Sequence, residues 1–198
     1  RSMVRKFIID SVKHWVREYK IDGFRFDLMG LHDIETMNLI RKELDSINPS
    51  AMVYGEGWTG GASLLSSAVA ATKTNAPKLD RIGFFNDNTR DAIKGDNFHS
   101  EKTGFITGNW HMKESVKFGV AGAVFHHGID YSRVIYNSFL WAGHAWHCVN
   151  YAASHDNLTL YDKLLASRPD LNDEEYMKLV NLAGTIVLTS QGIPFLML

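Results

Sequence analysis

The stretch Ile21-Asp22-Gly23-Phe24-Arg25-Phe26-Asp27 (IDGFRFD) sets an arginine and an aspartate into an apolar run with the look of a strand. Strand side chains alternate faces, so this spacing places Arg25 and Asp27 on one side and Phe24 and Phe26 on the other. A charged pair on the inner face of a buried sheet is costly unless it is paired or used. The reading of this segment therefore decides between a structural ion pair and a site.

Helices flank it on both sides. Phe7, Ile8, Val12, Trp15, Val16 and Tyr19 recur at helical spacing and predict an amphipathic helix over about residues 3–19. Ile34, Met37, Ile40, Leu44 and Ile47 predict a second, with Asp33 near its start and Asn48-Pro49 at its end. Further strands are expected at 51–56, 81–87, from 147–151 to an end near Ser154-His155-Asp156, and at 186–189, with a loop and one helix after the second strand. Loops with a short helix are expected over 95–128, and a helix over about 173–184. Strands alternating with helices predict an α/β fold with a parallel sheet, read most simply as one domain.

Each predicted strand runs into polar residues: Asp27, Glu56, Asn86-Asp87, then His155-Asp156-Asn157. Taken singly, an Asp or Asn after a strand also serves as a turn former or helix cap. In a parallel barrel, however, all such ends meet at one mouth, where chemistry is normally found. Glu56 stands between Gly55 and Gly57, which permit close approach of a backbone or ligand there, or mark a bend.

Composition excludes several classes. The 198 residues are 45% apolar, and 21 basic residues against 22 acidic ones create no field for nucleic acid or an anionic membrane. No apolar run is long enough to span a bilayer, and RSMVRKF at the start is not a signal peptide. The single cysteine, Cys148, rules out an internal disulfide framework. His126-His127 and His144-x-x-His147 lack an HExxH or cysteine companion and are read as loop histidines, so no metal ligand is assigned. No glycine-rich phosphate loop opens a helix, so no nucleotide cofactor is expected.

DGFRFDLMGLHDIETM (22–37), YGEGW (54–58), FFNDNTRDAIKG (84–95), SHDNLTLYDKL (154–164) and LTSQGIPF (188–195), in this order, resemble the alpha-amylase clan of glycoside hydrolases and, within it, the type I pullulanases. The resemblance implies a (β/α)8 TIM barrel of which residues 1–198 form a partial catalytic domain, about strands four to eight, truncated at both ends. The missing N-terminal half of the barrel would be its structural partner, and an isolated half barrel is expected to fold poorly or self-associate. The family pattern makes Asp27 the nucleophile, Glu56 the general acid/base and Asp156 the transition-state stabiliser. Arg25 and His155 become sugar ligands of the cleaved subsite, and Asn157 joins them as a candidate sugar contact. Trp58 is a candidate stacking platform, with Trp110 and Trp141 as weaker ones; a core position is the alternative for Trp58.

The implied activity is retaining hydrolysis of alpha-1,6-glucosidic links in pullulan, amylopectin and related alpha-glucans, without a required cofactor. For such chemistry the carboxyl groups of Asp27 and Glu56 should lie about 5–5.5 Å apart. Other clan activities stay open, among them isoamylase, glycogen debranching, alpha-amylase and branching enzyme, as does a non-catalytic glucan-binding role. Calcium occurs in relatives of this clan, but no oxygen-rich loop assigns it here. Asn86, Asp87, Arg90 and Asp91 match the family stretch and are read as capping and ion-pairing residues. One departure is Leu158, where many pullulanases carry histidine after HDN. The resemblance is to bacterial enzymes and leaves cytoplasmic, secreted and surface-anchored locations open.

Overall fold

A computed structural model describes residues 2–136 and 140–197. The chain forms two compact units, residues 1–85 and 86–198.

In the first unit, α1 (Ser2–Tyr19) leads to β1 (Gly23–Phe26), α2 (Ile34–Asp45), β2 (Met52–Gly55) and β3 (Gly83–Phe85). The strands run parallel in the order β1-β2-β3, with Phe24 opposite Val53, Phe26 opposite Gly55, and Gly55 opposite Phe84. Met37, Ile40 and Leu44 of α2 are buried with Val53, Ile82, Phe84 and Phe85. Asp33 caps α2 by accepting from the Thr36 N–H at 2.6 Å. Arg5 of α1 reaches Asp33 at 3.1 Å and Thr36 Oγ1 at 2.9 Å, tying the two helices together. Burial raises the Asp33 pKa, but the Thr36 N–H and Arg5 outweigh it and hold the carboxyl below its ordinary value.

Of the expected apolar face of α1, only Val12 and Val16 are buried; Phe7, Trp15 and Tyr19 stay exposed. The helix expected after β2 is a 3-10 turn, Lys73–Lys78, containing Pro77. Proline has no N–H to give to an α-helical ladder, and the turn is instead fastened by buried Asn75, which donates to Ser67 O and Ala70 O at 2.7 and 2.9 Å.

The second unit contains α3 (Asp87–Lys94), α4 (Lys113–Val120), β4 (Cys148–Asn150), α5 (Leu160–Ser167), α6 (Asp173–Thr189) and β5 (Ile193–Pro194). β4 and β5 pair in parallel, Val149 opposite Ile193. The strand expected at 186–189 is the last turn of α6, and the actual strand follows it. Tyr176, Ala183 and Val187 form one buried helical stripe, so packing carries Ile186-Val187-Leu188 into the helix despite its β-branched residues. Asn172 and Glu175 close the start of that helix with a capping box. Helices α3 and α5 were not anticipated. Each is eight residues long, too short to display an apolar period, and each starts from a side-chain cap, Asn86 and Thr159 respectively.

α3 is unusual in burying polar side chains, among them Asn88, Thr89, Asp91 and Lys94. Asn88 Nδ2 donates to Ile135 O, and Asp91 is paired. Arg90 donates to Asp91 at 2.6 Å and to the Tyr151 hydroxyl at 3.0 Å, and the Tyr136 hydroxyl donates to Asp91 at 3.1 Å. Burial, with Arg90 nearby, pushes the Lys94 ammonium down to about 8. The expectation that Asn86, Arg90 and Asp91 serve capping and ion pairing matches these contacts. Among the described residues, no helix is long and apolar enough to cross a membrane.

Candidate active site

In the first unit, three of the expected site residues come together where β1 and β2 end. Arg25, near the end of β1, directs its two terminal nitrogens at two carboxylates. Nη1 donates to Asp27 Oδ1, and Nη2 donates to Glu56 Oε1 at 2.7 Å. The three groups differ sharply in burial: side-chain exposure is 68% for Asp27, 23% for Arg25 and 7% for Glu56. This corrects the expectation of a buried Arg25–Asp27 pair. β1 ends at Phe26, so Asp27 sits in the turn beyond the ladder, exposed, and the buried carboxylate is Glu56.

That turn also serves Glu56. Leu28 adopts a left-handed conformation (φ 41°), which aims its N–H at Glu56 Oε2 at 2.7 Å. Both oxygens of the buried carboxylate thus accept a hydrogen bond, one charge-assisted, as a buried carboxylate requires. The backbone beneath is locked by Glu56 N–H to Phe26 O at 3.1 Å and by Gly30 N–H to Trp58 O, also at 3.1 Å. The flanking glycines have the close approach expected of them. A Cβ on Gly55 would strike Phe26 O, and one on Gly57 would strike Lys73 and Phe84. Trp58 is half-buried, and the Lys73 ammonium lies 6.0 Å from the ring centroid, a cation over an indole.

In the second unit, His155, Asp156 and Asn157 are exposed in the turn that follows β4. His155 Nε2 lies 3.6 Å from Asp156 Oδ1. Asn157 is left-handed (φ 62°), and its Oδ1 accepts from Asn97 Nδ2 at 2.7 Å. Beside Asn97, the ring of Phe98 is 77% exposed; an isolated aromatic in a polar loop (GDNFHSEK) was the only signal for it. Trp110 is also exposed, edge-on to Phe105. Trp141 is buried against Phe118, so the expected stacking role gives way to a core one. His147 Nδ1 accepts from the Gly143 and His144 N–H groups, a loop-closing use of its lone pair. Among the described residues, no group of His, Cys, Asp and Glu side chains is arranged to hold a metal ion.

No protein-family model matches the chain. It is 39% identical over 202 residues to the pullulanase of Bacillus subtilis (strain 168), covering 99% of this chain and 26% of that relative, about a quarter of its length. A mutant pullulanase from Paenibacillus barengoltzii, solved in complex with maltotetraose, matches with a TM-score of 0.88 and 47% identity over 99% of this chain and 29% of its own. The type I pullulanase of Bacillus subtilis str. 168 complexed with maltose matches with a TM-score of 0.89 and 38% identity, over 99% of this chain and 26% of its own. Along its whole length, the chain is a homologue of a segment of the pullulanases.

Proposed function

We propose that the protein bearing this chain hydrolyses alpha-1,6-glucosidic links of alpha-glucans with retention, and that residues 1–198 supply about strands four to eight of its catalytic barrel. The observation that carries the reading is the Arg25 bridge. One guanidinium holds an exposed carboxylate, Asp27, and a buried one, Glu56, on its two terminal nitrogens. One guanidinium bonded to both keeps two carboxylates within reach of one glycosidic bond, as a nucleophile and an acid/base require.

The exposed partner is the nucleophile. Asp27 attacks the anomeric carbon while the glycosidic oxygen leaves with a proton from Glu56; the bond to Asp27 forms as the bond to O6 breaks. A water then gives its proton to Glu56, attacks the same carbon and releases Asp27. The arrangement seen, with both Glu56 oxygens accepting, suits the second half. In the first half Glu56 turns one oxygen from Arg25 toward the leaving group, a tightening reserved for the bound complex. His155 and Asp156 grip sugar hydroxyls as the ring flattens toward an oxocarbenium-like state. The half-buried ring of Trp58 offers a stacking face. No cofactor enters any step.

The names of the relatives support the linkage, and the described complexes with maltotetraose and maltose support alpha-glucan as substrate. Digestion of pullulan by the longest natural polypeptide carrying this sequence tests it. Maltotriose released first as its alpha anomer is the expected product. Transferred chains without hydrolysis, or a beta anomer formed first, would replace this reading with another activity.

A further inference from the structure

The second unit contains a closed circuit around the His155–Asn157 turn that the catalytic reading does not use. The turn reverses at Asn157, one residue after Asp156, in a left-handed conformation that asparagine tolerates better than most residues. A short polar loop, residues 95–104, meets it through Asn97 Nδ2 on Asn157 Oδ1 at 2.7 Å. The loop is stiff. Gly95 (φ 97°) turns against the Lys102 carbonyl, where a Cβ would overlap. Asp96 accepts from the Phe98 N–H at 2.8 Å and faces His99 at 3.0 Å.

The loop is also fastened to the far side of the turn. Lys163, on α5 and only 2% exposed, donates to His99 O at 2.6 Å and Ser100 O at 3.0 Å. A buried ammonium spent on two loop carbonyls is expensive unless the loop's position matters, because desolvation works against its charge and lowers its pKa. At the base of the turn, Arg90 holds the Tyr151 hydroxyl, one residue past β4. Strand, turn, helix and loop thus close into a ring, and Asn97 is the link that touches the turn beside Asp156.

We infer that Asn97 is a positioning residue for Asp156, acting through the side chain of Asn157, whose task is to shape the turn. This rests on the catalytic reading of Asp156 given above. An exposed amide pair adds little to stability, whereas a small misplacement of a transition-state contact is costly to rate. The two roles are therefore separable by measurement.

In the longest natural polypeptide carrying this sequence, Asn97→Ala and Asn157→Ala should each lower kcat on pullulan about tenfold. KM should stay within about twofold and the thermal midpoint within about 2 °C, as for other surface changes. The double variant should fall no further than either single one, since both remove the same bond. Wild-type kcat in Asn97→Ala, multiplying losses in the double variant, or a raised KM with kcat unchanged would each overturn the inference. Glu56→Gln belongs in the same series. If turnover survives there, the site itself has been misread; if it is lost there while Asn97→Ala is fully active, only the brace falls.

Discussion

Glu56→Gln is expected to lower kcat on pullulan by about 10²- to 10⁴-fold, the range for loss of a positioned general acid/base. Glutamine keeps the shape, but its single oxygen accepts from either Arg25 or the Leu28 N–H, with its amide nitrogen facing the other donor, and it has no proton to give to the leaving oxygen. Binding of maltooligosaccharide should therefore change much less than turnover, and single-turnover kinetics separate the two. A variant with wild-type turnover would remove Glu56 from the reaction. Arg25 keeps its bond to Asp27 in this variant, so no buried charge is left without a partner and the fold is expected to survive the change.

Arg25→Ala carries the second large effect, and it falls on stability as well as rate. Glu56 would remain buried with only the Leu28 N–H to meet its charge. Breaking a buried pair in this way costs about 3–5 kcal/mol, and the partial exposure of Arg25 puts the expectation near the lower figure, about 3 kcal/mol. Denaturant unfolding of the same polypeptide checks it, as a lowered midpoint at constant m-value. Adding Glu56→Gln to Arg25→Ala should recover part of the loss, because the orphaned charge is then gone. Arg25→Lys should recover stability in part but not activity, since one ammonium cannot hold two carboxylates on fixed neighbouring donors. Equal stability of Arg25→Ala and wild type would mean that the bridge is only a surface contact.

Much of this arrangement was legible in the residues. IDGFRFD and MVYGEG became adjacent parallel strands, and GEG has the tight backbone contacts that its glycines suggest. Alternation along β1 pointed to Arg25 as a site residue. It misjudged Asp27, because a period of two holds only while the ladder continues, and the ladder stops at Phe26. The same kind of limit moved the last strand. Ile186-Val187-Leu188-Thr189 carries strand propensity, but the stripe of Tyr176, Ala183 and Val187 keeps it helical, and the strand shifts to Ile193–Pro194. α3 has little apolar period because amides and charges are buried beside Ala92 and Ile93, with Arg90, Asp91, Tyr136 and Tyr151 pairing among themselves. Long-range partners of this sort, like Asn97 with Asn157 sixty residues apart, have no periodic signature.

Asp27, exposed beside a buried Glu56, is the residue proposed to form the bond to the sugar. A 5-fluoro-alpha-glycosyl fluoride loads a retaining enzyme faster than the adduct hydrolyses. Peptide mapping of the labelled protein by mass spectrometry then locates the attachment. One glycosyl group per chain is expected, on the peptide containing Asp27, and none in Asp27→Asn. Label on Asp156 or Glu56, or none at all in a protein that turns over pullulan, would contradict it.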